Sequence, residues 1–379
     1  MGGGACQDVD DVGALCLAHA LADRGEAELL AVMQNTAPPA VAGVISVINN
    51  YYGRNVPIGA YRGSGVLDSS PATLDYVESV LVAFPSPIRN NGQATDAVVL
   101  YRQVLAAAEP RSVTISSIGL LTNLEGLLKS EPDQHSPLSG IDLVAEKVAL
   151  LAVMAGKYPH SPQPAKWGGA ECNACGCYNY ASDAAADTAA GASSYVVDHW
   201  PHTVRMVFLG FEVGANVRTG AVLETCAKVE NPCRHAYMNY KEENSNQWNQ
   251  AEGGRPSWDP LTTLFAVRGA SGEGLSDCTD CNGVNRIDAK GGNNAWAPGR
   301  ASNQSYLLLE SGKVAQQAVD SLLCQPRCGL DQAFTRTRTE LDGGKNEARR
   351  PPRVPTSLLS GPLMPLTRSS SRAVVLPLQ

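Results

Sequence analysis

Apolar and polar positions along the chain follow two periods. Residues 9–24 have helical spacing, with Val12, Leu15, Cys16 and His19 on one face. Residues 29–33 form a short apolar run of strand length. Helical spacing returns over 41–52, and 56–60 again have strand character. The pattern predicts an amphipathic helix over 94–108, a strand over the β-branched, alternating 112–118, and a helix over 121–129. Residues 148–154 and 204–209 are continuous apolar runs, as expected of strands covered on both faces. Residues 184–199 are Ala-rich and predicted helical. Strand and helix take turns, so the expected fold class is α/β, an open, mainly parallel, Rossmann-like sheet with helices on both faces. Ligands of such sheets sit outside the C-terminal ends of the strands.

Periodicity fails in two stretches. Residues 270–305 hold Gly, Asn, Asp and Cys and predict a long loop region or a β-hairpin. From about Gly329 the character changes to Arg349-Arg350-Pro351-Pro352-Arg353 followed by Ser and Pro. The expected organisation is therefore one domain over 1–328 and a disordered tail over 329–379. No internal repeat is present.

Composition narrows the partners. The 379 residues are 44% hydrophobic, enough for a sizeable core, and only 18% are charged. The formal net charge of −7 argues against nucleic acid, which calls for a basic face. No apolar run approaches the ~20 residues of a membrane span, so no membrane partner is expected. Nine of the eleven cysteines cluster as Cys172, Cys175 and Cys177, Cys226 and Cys233, Cys278 and Cys281, and Cys324 and Cys328. Such pairs suit local disulfides in a secreted protein. The two C-x-x-C pairs also have zinc spacing, but no His or basic context supports a zinc ribbon, so disulfides are expected.

The first chemical motif is Asp8-Val9-Asp10-Asp11-Val12-Gly13-Ala14-Leu15 at the mouth of a helix. Three carboxylates there are consistent with an acidic helix N-terminus favoured by the macrodipole. On this motif alone the helix-cap reading is ahead; the other reading is a hard-cation site, which collects carboxylate oxygens. Several further segments follow in order. They are Val32-Met33-Gln34-Asn35-Thr36, Ile118-Gly119-Leu120-Leu121-Thr122-Asn123-Leu124, Tyr178-Asn179-Tyr180 with Asp183, Gly210-Phe211-Glu212-Val213-Gly214 and Ser257-Trp258-Asp259-Pro260.

This ordered set resembles the inosine-uridine-preferring nucleoside hydrolase family over roughly residues 8–326. The family variant most similar to it opens with a strand and the turn D-x-D-x-G-x-D-x-D-D-x-x-A-L, whose tail stands here as Asp8, Asp10, Asp11, Ala14 and Leu15. The resemblance implies hydrolysis of the N-glycosidic bond of ribonucleosides, with Ca²⁺ holding ribose hydroxyls and water and a carboxylate activating that water. Position by position, it implies catalytic Asp8 and Asp10, with Asp10 also binding a ribose hydroxyl. It implies Asp11, the Thr122 carbonyl and Asp259 as Ca²⁺ ligands, and Asn35, Asn179, Glu212 and Trp258 around the substrate. Each has a plainer reading. Asn35 fits a turn, Thr122 a helix N-cap, and Asp259 before Pro260 a turn start. Asn173 is a rival to Asn179, which is preferred because Asp183 follows it by four residues. The implied partners are a small-molecule nucleoside and a second copy of the chain in a homo-oligomer.

The chain also departs from the family pattern. The motif's first two Asp positions fall on Gly2 and Gly4, its turn glycine falls on Cys6, and the preceding strand is missing. The chain thus reads as N-terminally incomplete. Many family members carry a proton-donating His where Trp258 stands, and Trp does not donate a proton usefully at neutral pH. Cys177 stands where the family often has Glu. These departures leave a second expectation open, an inactive nucleoside- or ribose-binding homologue in which Gly4 replaces the first acidic ligand. No G-x-S-x-G elbow, P-loop or G-x-G-x-x-G after a strand is present.

Overall fold

The computed structural model describes residues 9–63, 75–159, 171–175, 183–243, 254–279, 281–327 and 371–378. Its strands are β1 (Ala27–Gln34), β2 (Ile58–Ala60), β3 (Thr95–Asp96), β4 (Val113–Ser117), β5 (Val148–Met154), β6 (Arg205–Leu209), β7 (Arg218–Thr219), β8 (Arg255–Pro256), β9 (Leu275–Asp277), β10 (Gly283–Ile287), β11 (Asn294–Pro298), β12 (Gln304–Leu309) and β13 (Arg372–Leu378). The helices are α1 (Asp10–Asp23), α2 (Val41–Tyr51), α3 (Asp75–Ala83), α4 (Ala97–Ala107), α5 (Thr122–Lys129), α6 (Gly140–Lys147), α7 (Cys172–Cys175), α8 (Asp183–His199), α9 (Phe211–Ala215), α10 (Leu223–Cys226), α11 (Pro232–Glu243), α12 (Asp259–Arg268) and α13 (Gly312–Leu323).

Nine strands form the central sheet in the order β3-β2-β1-β13-β4-β5-β6-β12-β9. Every pairing is parallel except that of β12 with β9. Side chains alternate between two cores. On β13, Val374, Leu376 and Leu378 enter one cluster and Val375 the other. On β6, Val207 and Leu209 face one side, Met206 and Phe208 the other. This two-sided burial explains the unbroken apolar runs of the central strands.

The mainly parallel sheet agrees with the sequence expectation, and the predicted loop or hairpin of 270–305 contains the hairpin β10–β11. The tail expectation is corrected. Within 329–379, residues 372–378 form β13, parallel to β1 on one side and to β4 on the other. The central sheet position between β1 and β4 is thus filled from residues far along the chain. Pro377 lies opposite Met33 in the β1–β13 register, and beyond the last β13–β4 pair, Val375 with Ile115, its carbonyl still accepts from Ile118 N–H (3.0 Å).

Two helices are buried all round. On α1 every residue from Asp10 to Leu21 except the partly covered last turn is buried, and on α12 every residue from Asp259 to Val267 is buried. They pack against each other, and α12 also covers β4 and β5. The apolar stripe expected on 9–24 is therefore only part of the buried surface. The local disulfide expectation holds for Cys278–Cys281 and is corrected for Cys226, Cys233 and Cys324: Cys226 pairs with Cys324 and Cys233 with Cys16, tying α10 to α13 and α1 to α11.

Leu376, fully buried in β13, tests this architecture. Leu376→Ala should lower unfolding free energy by about 2–5 kcal/mol in urea denaturation. A change within about 0.5 kcal/mol, as at a solvated position, would show that the strand does not form.

Candidate functional site

The chain runs from β1 outward through β2 to β3, then crosses to β4 and continues outward through β5 to β6. The direction of winding reverses around β13. Such a reversal opens a crevice beyond the C-terminal strand ends, because the following connections leave in opposite directions. Several of the residues singled out in the sequence stand at the ends of the strands and at the helix starts that follow them.

Asn35 follows the last residue of β1. Its N–H donates to the Leu378 carbonyl (2.9 Å), so β13 fixes its backbone. Its carbonyl accepts from Thr122 Oγ1 (2.9 Å), and its side-chain Oδ1 accepts from Asn123 Nδ2 (2.7 Å). Asn123 Nδ2 also donates to the Gln34 carbonyl (2.8 Å). Asn35 is buried with its Nδ2 amide unmatched by any described group. Thr122 is the first residue of α5, after N-cap Leu121, so its hydroxyl serves Asn35 and not a cap.

Asp10 and Asp11 open α1, and Asp259 opens α12 behind Trp258. Asp10 Oδ2 accepts from the backbone N–H groups of Trp258 (3.0 Å) and Asp259 (3.2 Å), so one carboxylate caps the neighbouring helix. Arg255 Nε lies 3.9 Å from Asp10 Oδ1. Asp10, Asp11 and Asp259 are all buried. The buried carboxylates Asp11 and Asp259 are hard oxygen donors suited to a cation such as calcium. No group of three or more His, Cys, Asp or Glu forms a metal cluster among the described residues.

Asp8 and Asn179 lie outside the described residues. Asn173, the rival of Asn179, is at the crevice. Its Nδ2 donates to the carbonyls of Met154 (3.0 Å) and Ile118 (3.3 Å), bridging the ends of β5 and β4. Its Oδ1 is buried and unmatched among the described residues. Two residues earlier stands Glu171, which the sequence reading missed. Its carboxylate accepts from the backbone N–H groups of Gly156 (3.0 Å), Asn173 (3.0 Å) and Ala174 (3.2 Å). The available signal was a carboxylate two residues before an Asn, hidden in the cysteine-rich stretch. Burial pushes the Glu171 carboxyl up to about 7, although those three N–H groups oppose the shift.

Glu212 lies on α9, at the end of β6, and is buried. Its Oε2 accepts from Tyr158 N–H (3.4 Å). Its carboxyl is also pushed up to about 7, chiefly by burial. Trp258 donates Nε1–H to the Phe211 carbonyl (2.8 Å), and the two rings stack with centroids 5.3 Å apart. The Arg255 guanidinium lies over the Trp258 ring at 5.2 Å. A side chain at Gly214 would meet the indole at 2.2 Å, so glycine is what lets α9 approach it.

No family model matches the sequence, and no curated protein matches it. Solved structures match the fold. The inosine-uridine preferring nucleoside hydrolase of Bacillus anthracis is 15% identical, with 85% of this chain and 97% of that one covered at a TM-score of 0.57. An inosine-guanosine nucleoside hydrolase is 15% identical, with 83% and 95% covered at 0.58. The type III effector protein XopQ, in complex with adenosine diphosphate ribose, is 15% identical, with 84% and 90% covered at 0.53. The fold is that of the nucleoside hydrolases.

Glu171 gives a thermodynamic test of the site. Its folded form keeps a proton between the ordinary value of 4.5 and about 7, where the unfolded carboxyl is already ionised. The group therefore withdraws stability as pH rises through that window. Glu171→Gln should gain on wild type by up to about 1.4 kcal/mol per pH unit across it. Urea midpoints from about pH 5 to about pH 8 measure this, and a pH-independent difference would mean that Glu171 ionises as in water.

Proposed function

We propose that the crevice binds a ribonucleoside and hydrolyses its N-glycosidic bond to ribose and free base. The observation that carries this reading is the pair of buried amide ends, Asn35 Nδ2 after β1 and Asn173 Oδ1 at the ends of β4 and β5, which flank the winding reversal. Buried polar groups need partners, and a ligand rich in hydroxyls supplies both donors and acceptors. The solved nucleoside hydrolases of the same fold support the substrate class.

In this reading Asn35 and Asn173 orient the ribose, and the Phe211–Trp258 pair lies on the side of the base. Asp10 holds the mouths of α1 and α12 in register through its two backbone contacts. Water attack at the anomeric carbon builds positive charge on the sugar, which nearby carboxylates stabilise. Asp8 and Asp10 are the carboxylates proposed to activate the water. Asp11, Asp259 and the Thr122 carbonyl would hold Ca²⁺, with water and ribose hydroxyls completing the six to eight oxygens it takes. When bound, that ion would orient the hydroxyls and acidify a water.

A second reading, a binding protein without turnover, is favoured by Gly2 and Gly4 at the acidic positions of the resemblance and by the adenosine diphosphate ribose held in XopQ. Full-length protein incubated with inosine or uridine and Ca²⁺ separates the two. Release of reducing sugar, lost on chelation and at least about a hundredfold lower in Asp11→Ala, is the expected result for the enzyme. Saturable nucleoside binding with no sugar released by folded protein would establish the second reading.

A further inference from the structure

Glycosidic cleavage sends the bonding electrons onto a ring nitrogen of the base. An unprotonated base departs as an anion, so the reaction gains from a positive group on the base side. In the reading above that side carries the Phe211–Trp258 pair, and two cations lie over its rings. Arg255 lies over Trp258 at 5.2 Å. It is buried, has the Tyr240 ring at 5.3 Å and turns Nε toward Asp10 at 3.9 Å. These are the surroundings of a structural cation, stacked on rings and facing a carboxylate. The other cation is Lys157, half-buried, with Nζ 5.5 Å from the centroid of the Phe211 ring.

We infer that Lys157 is the catalytic cation that meets the departing base and stabilises the negative charge it gains, an assignment that rests on the nucleoside-hydrolase reading above. Lys157 stands just past the C-terminal end of β5, and Phe211 just past that of β6. The residue before Lys157 is fixed from both sides. The Gly156 carbonyl accepts from Phe211 N–H (2.9 Å), on the base side. The Gly156 N–H donates to Glu171 Oε2 (3.0 Å), two residues from the ribose-orienting Asn173. Lys157 itself is held by Asn294 on β11. Its N–H donates to Asn294 Oδ1 (2.7 Å), and Asn294 Nδ2 donates back to its carbonyl (2.9 Å). Asn294 Nδ2 also donates to Asn285 Oδ1 (3.1 Å) on β10, so the β10–β11 hairpin anchors the loop that carries the cation. Gly156 has φ +80°, and a Cβ there would fall 2.8 Å from the Asn294 amide carbon, so this close approach requires glycine. Asn294 is thus a positioning residue. Burial weakens the hold of Lys157 on its proton, while Glu171 and Glu212 strengthen it and favour the charged form that the role needs.

The step balances. The C1′–N bond breaks with its electron pair going to the base, which departs as an anion against the Lys157 ammonium. Water adds hydroxide to C1′ and gives its proton to the activating carboxylate. Lys157 keeps its proton, and the released base takes one from solvent as the carboxylate gives its own up.

Full-length wild type, Lys157→Met, Lys157→Arg and Asn294→Ala are assayed on inosine and on p-nitrophenyl riboside, with folding checked by circular dichroism. Nitrophenolate spreads its charge over its own nitro group, so inosine cleavage needs the cation far more. Lys157→Met should lose about 10²–10³-fold on inosine and under about tenfold on the nitrophenyl substrate. The inosine loss should fall on kcat more than on KM, because the charge is met only as the bond breaks. Lys157→Arg, which keeps the charge, should recover at least about tenfold over Lys157→Met. Asn294→Ala, which frees the backbone of Lys157, should show the same preference of loss for inosine at smaller size, a ratio that general loosening would not move. No loss or equal losses of Lys157→Met on the two substrates, or Lys157→Arg no better than Lys157→Met, would overturn the role of Lys157 alone. Wild type inactive on both substrates would overturn the hydrolase reading and this role with it.

Discussion

A parallel sheet covered on both faces cannot leave an inner strand position empty. Backbone N–H and C=O groups of the flanking strands would be stripped of water with nothing to bond, and two apolar layers would face a gap. In this protein the position between β1 and β4 is the one on which everything else depends, and Arg372–Leu378 fill it. The strand joins the two halves of the sheet and closes both cores. Its last residues accept the N–H groups of Asn35 and Ile118, so the ligand-facing ends of β1 and β4 are set by the same few peptide groups.

The site inherits that rigidity. Its side chains sit on strand ends and helix starts, each fixed by backbone contacts. Asp10 couples α1 to α12, Thr122 and Asn123 hold Asn35, and Asn173 spans β4 and β5. Polar atoms buried this way specify one geometry, because every displaced hydrogen bond leaves a desolvated group behind. The disulfides reinforce the outer layer, where α10, α11 and α13 meet α1.

Much of this was legible in the sequence. Period-two and period-3.6 patterning located β1, β4, β5 and β6 and the helices α2, α4, α5 and α8, because those elements are strongly patterned, while α3 and α6 went unread. The acidic mouth of α1 and the Asn35, Thr122 and Asp259 positions gave the crevice its outline. β13 was not legible. Ala373-Val374-Val375-Leu376-Pro377-Leu378 is short, contains a proline and follows a Pro- and Ser-rich stretch, so its composition argued for a tail. α12 was hidden because a helix buried on every side has no polar face to reveal its period. Asn173 lost to Asn179 on sequence spacing, while only three-dimensional structure brings Asn173 against Met154 and Ile118. Cys278–Cys281 was legible from spacing, but Cys226, Cys233 and Cys324 were misread, since closeness along the chain says little about which cysteines meet once helices pack.

The placement of β13 also constrains how the protein comes to exist. It follows every other described element along the chain, yet it lies at the middle of the sheet. On the ribosome β1, β2 and β3 emerge early, and β4, β5 and β6 after them, but the two sets have no shared edge until 372–378 have been made. Each half must wait with an apolar, unpaired strand edge exposed, which is the surface that chaperones protect and that aggregation exploits. The closing contact joins Ala27 to Arg372, among the most distant pairings the chain contains, so its loop-closure cost falls at the very end of folding. Assembly of the crevice is therefore tied to synthesis of residues 372–378, and a nascent chain stopped short of β13 would hold α1, α5 and α12 without the strand that aligns β1 with β4.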